Sequence, residues 1–181
     1  MTLRVTVPAD VVCLKGRGAP GLLEAFGVPV PPRPNSWRSL EATPFGAGAW
    51  CLRLGGGEYL LAHDTRPGAF DGLRTAPPPP ACHVLLRADH CVHLEGPGAT
   101  ARLLQVCDVD ERALLRQPDS LALLMLADVG VALHATSTGA TPAWRIWCDP
   151  TWLPHVLSTF AAVAARPPLP PLPYPSPRQS P

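Results

Sequence analysis

Charged residues are scarce in this chain of 181 residues. They make up 16% of the sequence, against about 25% in typical soluble domains. The 15 basic and 14 acidic residues nearly cancel, which leaves a formal net charge of +1. Because nucleic acids and anionic membrane surfaces attract proteins with a basic excess, the composition argues against both partners. A weakly charged surface is instead typical of a protein that is covered by another protein.

Long apolar runs are also missing. The longest, residues 121–127, has seven residues, far fewer than the roughly 20 that a membrane-spanning helix needs. The N-terminal residues lack the basic segment and the long apolar stretch of a secretory signal. We therefore expect a cytoplasmic protein that is not associated with a membrane.

No C-x-x-C pair occurs, although the chain has six cysteines. They are Cys13, Cys51, Cys82, Cys91, Cys107 and Cys148. In a cytoplasmic protein such scattered cysteines are expected to be reduced and buried. Cys107 follows an expected helix, where the helix dipole disfavours a thiolate. We expect Cys107 to pack the helix against a sheet and not to act as a nucleophile.

The usual signatures of metal, phosphate and acid–base sites are absent as well. His90 and His93 are three residues apart on an expected strand, so they point to opposite faces and cannot bind one ion together. The glycine-rich segments 55–57 and 96–98 are not followed by Lys-Ser/Thr, which excludes a P-loop. Asp108 lies in a loop with no histidine nearby in sequence. We predict no catalytic, cofactor-binding or metal-binding residue in this chain.

The distribution of apolar residues predicts an α+β protein. Strands are predicted at residues 3–7, 50–54, 59–62, 83–86, 92–94, 121–126, 129–134 and 144–148, and helices at 22–26, 67–74, after 98 and at 152–165. In the second half the order is strand, helix, two or three strands, helix, and the first half shows a weaker version of it. This order favours ferredoxin-like βαβ repeats, with antiparallel sheets that carry helices on one face.

The prolines indicate how the chain is divided. Residues 77–80 are four consecutive prolines, which we interpret as a spacer between two repeat halves at about 1–76 and 81–165. Residues 166–181 are rich in proline and cannot form a core. We expect them to be a disordered tail, and the sequence does not assign it a role.

The most distinctive segment is CVHLEGPGATARLLQVC, residues 91–107. Val92 and Leu94 alternate with polar residues, as in a strand with one buried face. A Gly-Pro-Gly turn follows, with its proline near the start of the next helix, where a missing N–H costs little. Apolar residues then recur at helical spacing. The segment therefore predicts a strand, a turn and an amphipathic helix.

Three segments resemble one known family, the gamma subunit of heterotetrameric sarcosine oxidase. LRLGGGEYLLA at 52–62 is similar to the family's LxLGPDEWLL hairpin, and LEGPGATARLLQVCDVD at 94–110 to its LSGPxAxxLLxxGCxLD element. WRIWCDPTWLPHVLSTF at 144–160 matches the family's C-terminal part in outline. The motif positions, which the resemblance makes structural, are Glu58, Tyr59, Gly96, Pro97, Leu103, Leu104, Cys107 and Asp108.

The sequence departs from the family pattern at several positions. Gly56 and Gly57 replace the Pro-Asp of the hairpin, and Gln105 and Val106 stand where the family has small residues. Residues 147–150 replace the Val-Pro-Arg-Ser step. These differences indicate a divergent member, whose complex could use another amine.

The resemblance implies a fold similar to the folate-binding domain of the glycine-cleavage T protein, and a role without catalysis. Such a subunit packs mainly on the alpha subunit of a complex that also contains beta and delta subunits. That complex oxidises sarcosine to glycine, releases hydrogen peroxide and forms 5,10-methylenetetrahydrofolate. This chain would bind no cofactor, because FAD, FMN, NAD and tetrahydrofolate belong to the other subunits.

The tryptophans offer candidate contacts for such a partner, since tryptophan is enriched at the centres of interfaces. Trp144 and Trp147 fall on opposite faces of one predicted strand, so one could face the core and the other a partner or solvent. Trp152 follows shortly after them. We predict these three as interface residues.

Two other functions remain open at this point. A stand-alone folate-binding protein or one-carbon transferase of the T-protein type would need an acidic residue to hold the pterin, for which Asp64 or Glu95 is the candidate. An interaction module that works through the proline-rich tail is the third possibility.

Overall fold

The computed structural model of this chain describes residues 1–137 and 141–165. The predicted tail, 166–181, lies outside them. The described strands are β1 (Thr2–Thr6), β2 (Asp10–Lys15), β3 (Ser36–Ser39), β4 (Ala49–Arg53), β5 (Glu58–His63), β6 (His83–Leu86), β7 (His90–Glu95), β8 (Ala122–Leu126), β9 (Val129–Ser137) and β10 (Ala143–Cys148). The described α-helices are α1 (Ala19–Ala25), α2 (Asp71–Thr75), α3 (Ala99–Leu103), α4 (Glu111–Arg116) and α5 (Leu153–Ala164).

The strands form two five-stranded sheets in which every pairing is antiparallel. The N-terminal sheet has the order β3-β4-β5-β2-β6, and the C-terminal sheet the order β1-β7-β10-β9-β8. Helices α1 and α2 pack on the outer face of the N-terminal sheet, and α3 and α5 on the outer face of the C-terminal sheet. The inner faces of the two sheets pack on each other. The predicted α+β class, with helices on one face of antiparallel sheets, is confirmed.

Successive side chains of the central strands point alternately to the helices and to the other sheet, which explains why helices and sheets form layers. In β10, Trp144 and Ile146 belong to the helix-side core, whereas Trp147 belongs to the core between the sheets. In β2, Leu14 faces the helices and Cys13 faces the other sheet. Because successive strand residues point to opposite faces, a strand in the middle of such a stack buries all of its side chains.

Each half of the chain gives one strand to the sheet of the other half. Strand β1 pairs with β7 in the C-terminal sheet, and β6 pairs with β2 in the N-terminal sheet. Apart from this exchange the two sheets have the same strand order when each is read from its exchanged strand. The predicted halves, 1–76 and 81–165, therefore do not each correspond to one sheet, because the spacer at 77–80 precedes an exchanged strand.

Three elements were not predicted, namely β2, β3 and α4. The predicted start of the last helix is close to the observed one. Asp149 accepts a hydrogen bond from the backbone N–H of Thr151 at 2.8 Å and caps a 3-10 turn, Pro150–Trp152, that leads into α5.

All six cysteines are buried free thiols, as predicted. In the described part of the chain, no helix is long and apolar enough to cross a membrane.

The strand–turn–helix unit of residues 91–107 occurs a second time, in the first half of the chain. LKGRGAP at 14–20 corresponds to LEGPGAT at 94–100, and Gly16 and Gly96 both have positive φ, 119° and 87°. Their surroundings differ. A Cβ on Gly16 would clash with the carbonyl oxygen of Ala81, whereas a Cβ on Gly96 would have no neighbour closer than 3.8 Å.

We expect Gly16→Ala to lower the free energy of unfolding by about 2 kcal/mol, and Gly96→Ala by about 1 kcal/mol. Both variants strain the backbone at a residue with positive φ. Only Gly16→Ala also places a methyl group against the carbonyl oxygen of Ala81, so the backbone at residue 81 must move. Urea denaturation of the two purified variants measures the difference. Equal losses would contradict the role of the contact with Ala81.

Candidate functional site

A row of nitrogen-bearing side chains crosses the inner face of the C-terminal sheet. Arg4, His93, Arg145 and His134 are consecutive cross-strand neighbours on β1, β7, β10 and β9. His93, Arg145 and His134 are buried. This row, together with the aromatic and acidic side chains that reach it from the N-terminal sheet, is called the inter-sheet cluster here.

Asp64 supplies the negative charge of the inter-sheet cluster. It follows β5 of the opposite sheet and binds Arg145, with 2.7 Å between Arg145 Nη2 and Asp64 Oδ2. Trp50 Nε1 donates to the same oxygen at 3.2 Å. The guanidinium carbon of Arg145 lies 4.0 Å from the centre of the Trp50 ring. A buried ion pair with an aromatic neighbour therefore connects the two sheets.

The two histidines of the cluster are held neutral. Burial, and next the positive charge of Arg145, lower the pKa of His93 to about 4 and that of His134 to about 3. Trp147 Nε1 lies 3.1 Å from His134 Nε2, so the indole donates to the ring nitrogen. At neutral pH these imidazoles act as uncharged packing groups and hydrogen-bond acceptors.

The inter-sheet cluster holds the sheets together and offers little for catalysis. Its ion pair is already satisfied, and its histidines are enclosed. Burial raises the pKa of Cys51 and Cys91 to about 12, and that of Cys107 and Cys148 to about 11, so these thiols stay protonated. Among residues 1–137 and 141–165, no group of three or more His, Cys, Asp or Glu side chains could hold a metal ion.

A second feature is an open groove of about 470 Å³ at one end of the inter-sheet core. The inner faces of β8, β9 and β10 form one wall, and Leu54 and Leu60 of the N-terminal sheet lie opposite. Leu123 and Met125 of β8 are 51% and 59% exposed. Leu123 is paired in register with Ala132, which is part of the inter-sheet core. The groove is therefore a continuation of that core which no described residue covers.

One end of the groove carries carboxylates. Asp89 is 3% exposed and binds Arg87 through Oδ1 at 2.7 Å, whereas its buried Oδ2 has no hydrogen-bond partner among the described residues. Burial raises the pKa of Asp89 despite the opposing effect of Arg87. Asp149 also lines this end, and its hydrogen bonds from Thr151 lower its pKa and keep it ionised.

The hairpin motif residues have structural surroundings. Glu58 forms ion pairs with Lys15 at 3.4 Å and with Arg87 at 3.5 Å. Tyr59 is fully buried between the N-terminal sheet and its helices.

The second motif divides into buried and exposed positions. Leu103 and Cys107 are buried in the helix-side core, and Cys107 forms a bridge to Leu126 of β8. Cys107 thus closes the helical segment against the sheet, as expected. The exposed motif residues are Pro97, Leu104 and Asp108. Gly96 forms the turn before α3.

The prediction that Trp144 or Trp147 faces a partner or solvent is wrong. Trp144 is buried under the helices, where its Nε1 donates to Thr100 Oγ1 at 3.0 Å, and Trp147 is buried between the sheets. Both are enclosed because helices cover one face of β10 and the other sheet covers the opposite face. Trp152 is 53% exposed and is the one of the three that is available to a partner.

The two residues considered for a pterin differ in availability. The Asp64 carboxylate is already bound by Arg145 and Trp50, so it cannot hold a ligand without giving up the inter-sheet ion pair. Glu95 is at the end of β7, about half exposed, and has weak contacts with Arg4 and His93 at 3.8 and 4.0 Å.

The sequence interpretation missed Arg145, His134 and Asp89. For Arg145 a signal was present, because a charged residue stands inside an otherwise apolar strand between Trp144 and Ile146. A charge in such a position needs a buried partner. Nothing in the sequence identifies that partner as Asp64, which is 81 residues away.

Comparison with known proteins identifies solved structures that share the fold of this chain. No protein-family model matches the chain, and no curated protein matches it. A chain of heterotetrameric sarcosine oxidase from Corynebacterium sp. U-96, solved with pyrrole 2-carboxylate, matches with a TM-score of 0.68 at 24% identity, over 92% of this chain and 86% of that one.

The glycine cleavage system aminomethyltransferase T from Bartonella henselae matches with a TM-score of 0.63 at 16% identity. The match covers 87% of this chain and 45% of the aminomethyltransferase chain. The expected structural relation is confirmed: this chain has the fold of a sarcosine oxidase chain and of part of an aminomethyltransferase T.

Proposed function

We propose that this chain is a gamma-type accessory subunit of a heterotetrameric, flavin-dependent sarcosine oxidase complex in the cytoplasm. The observation that carries the proposal is the fold match to a chain of heterotetrameric sarcosine oxidase, with a TM-score of 0.68 over 92% of this chain. This chain covers 86% of the sarcosine oxidase chain, but 45% of the aminomethyltransferase. The motifs at 52–62 and 94–110 support the same assignment.

The chemistry of the described residues supports a role without catalysis. The inter-sheet cluster is enclosed and its ion pair is satisfied, and the cysteines described above are protonated. The open groove has mostly apolar walls. Such a surface suits contact with another protein better than it suits a reaction, because apolar side chains dominate its walls and the Cys148 thiol in its lining is held protonated.

In this proposal the reaction belongs to the rest of the complex. The alpha, beta and delta subunits carry FAD, FMN, NAD and tetrahydrofolate, and the alpha subunit is the main contact of this chain. The complex demethylates sarcosine, or a related N-methyl amine, with release of hydrogen peroxide and formation of 5,10-methylenetetrahydrofolate.

Co-expression with alpha-, beta- and delta-type subunits from the same source tests the proposal. We expect one size-exclusion peak that contains all four chains and flavin, and that produces peroxide from sarcosine. A flavin-containing complex that oxidises another N-methyl amine would keep the subunit role and change the substrate. Elution of this chain alone, as a 19 kDa protein, would refute the proposal.

Two substitutions separate assembly from catalysis. Glu95→Gln removes the remaining candidate for pterin binding, and Asp108→Asn removes an exposed carboxylate of the second motif. We expect both variants to assemble, and the kcat of the complex to stay within twofold of the wild type with and without tetrahydrofolate. Binding of tetrahydrofolate to the isolated chain, measured as a thermal shift that Glu95→Gln abolishes, would favour the stand-alone folate binder.

A further inference from the structure

We propose that the groove beside β8 is the docking site for a protein partner, and that it receives an apolar segment carrying a basic side chain. The inference rests on the proposed function, because it takes the alpha-type subunit as that partner. It adds a surface and a chemistry that neither the motifs nor the fold assigns.

Exposed apolar side chains are the first argument. Leu123 and Met125 alternate with half-buried residues on β8, so both point to the inner side of the sheet. There they continue the apolar core that holds the two sheets together, and Leu54 faces them across the groove. Large apolar side chains are more than half exposed at these two positions, which is typical of a surface that another protein covers.

The second argument is the negative charge at one end of the groove, which indicates that the bound segment of the partner carries a basic side chain. Arg87 is shared between Asp89 and Glu58, at 2.7 and 3.5 Å. Asp149 is ionised and exposed at the same end, and the Oδ2 atom of Asp89 has no partner among the described residues. Two carboxylates, Asp89 and Asp149, and one guanidinium, Arg87, line this end of the groove, so it favours a lysine or arginine.

The position of Trp152 fits the same surface. This exposed tryptophan ends the 3-10 turn that Asp149 caps, so it lies one turn beyond the acidic end of the groove. An indole at the border of an apolar groove is a frequent anchor in interfaces. The predicted interface residue Trp152 is thus three residues along the chain from Asp149, which lines the acidic end of the groove.

Thiol labelling tests which molecule covers the groove. The six native cysteines are buried, and burial keeps their thiols protonated, so they should react slowly with a maleimide. Met125→Cys places a reactive thiol in the groove, and Leu104→Cys places one on an exposed apolar position of the helix side as a matched control. We expect assembly into the complex to slow labelling at position 125 at least tenfold and at position 104 less than twofold.

Affinity provides a second, independent measurement. Met125→Glu should weaken binding to the alpha-type subunit at least tenfold, and Leu104→Glu less than twofold. Asp149→Asn should reduce the dependence of binding on NaCl concentration, because it removes one charge of the acidic end. Thermal denaturation confirms that each variant is folded, which is expected because positions 104, 125 and 149 are exposed or at the rim.

The possible results separate the two proposals. A complex that assembles but leaves position 125 reactive overturns the groove assignment and keeps the subunit role. Absence of any complex refutes both. Slow labelling of the isolated full-length chain overturns the partner assignment. In that case, a rate that rises when Leu169 and Leu172 are changed to aspartate identifies the chain's own tail as the occupant, and a rate that rises on dilution identifies a second copy.

Discussion

Replacing Arg145 with methionine is expected to lower the free energy of unfolding by about 3–5 kcal/mol, the cost of removing one partner of a buried ion pair. Arg145 is 6% exposed, and its guanidinium binds Asp64 across the two sheets. Without it the carboxylate keeps one hydrogen bond, from Trp50, and remains largely enclosed. Urea denaturation followed by tryptophan fluorescence measures the loss.

Arg33→Met is the matched control. Arg33 also forms a close ion pair, with 2.6 Å to Asp119, but both side chains are substantially exposed. An exposed pair contributes about 0–1 kcal/mol, so this variant should remain near wild-type stability. The double variant Arg145→Met/Asp64→Asn removes both buried charges and should recover most of the loss. Failure to recover would show that Arg145 acts through its packing on Trp50.

Acidification from pH 7.5 to 5.0 is expected to remove about 4 kcal/mol of stability through His93 and His134 together. In the folded chain their pKa values are about 4 and about 3, below the value of roughly 6.5 in the unfolded chain. Between these values the unfolded chain binds more protons. The contribution is therefore complete above pH 6.5 and is lost as the pH falls towards 4.

Substitution assigns this pH dependence to individual histidines. His134→Gln keeps an acceptor for the Trp147 indole but does not titrate, so it should remove about half of the slope between pH 7.5 and 5.0. The pKa of Asp89 is raised in the fold, so acidification increases stability through this carboxyl group, opposite to the effect of the histidines. This contribution is the same in wild type and variant. An unchanged slope in His134→Gln would show that this imidazole is protonated in the fold.

Strands with a clear pattern of apolar residues could be predicted from the sequence, and strands without one, such as β2 and β3, could not. Strand β7 was visible because apolar and polar residues alternate in it. Strand β2 contains VVCL, a continuous apolar run that follows Asp10, because both faces of the strand are buried. Such a run lacks the period of a half-buried strand. Strand β3 is short and polar, and its pairing with β4 depends on tertiary contacts.

The candidate sites depended even more on tertiary structure. Residues 121–126 read as a fully apolar strand, but the fold exposes Leu123 and Met125 because β8 extends beyond the inter-sheet core. Trp144 and Trp147 were correctly placed on opposite faces of β10. Both were nevertheless enclosed, since a sheet with helices on one side and a second sheet on the other has no free face.

The exchanged strands also determine when this protein can fold as it leaves the ribosome. Strand β1 is synthesised first, yet its partner residues lie in β7, where Thr2 pairs with Glu95. The N-terminal sheet likewise remains incomplete until β6 has been translated. A nascent chain that ends at residue 76 would therefore expose an unpaired edge of β2 and an unpaired β1. Pairing of β1 and completion of the N-terminal sheet therefore wait until residue 95, about the midpoint of the chain, has been translated, and these edges stay unpaired until then.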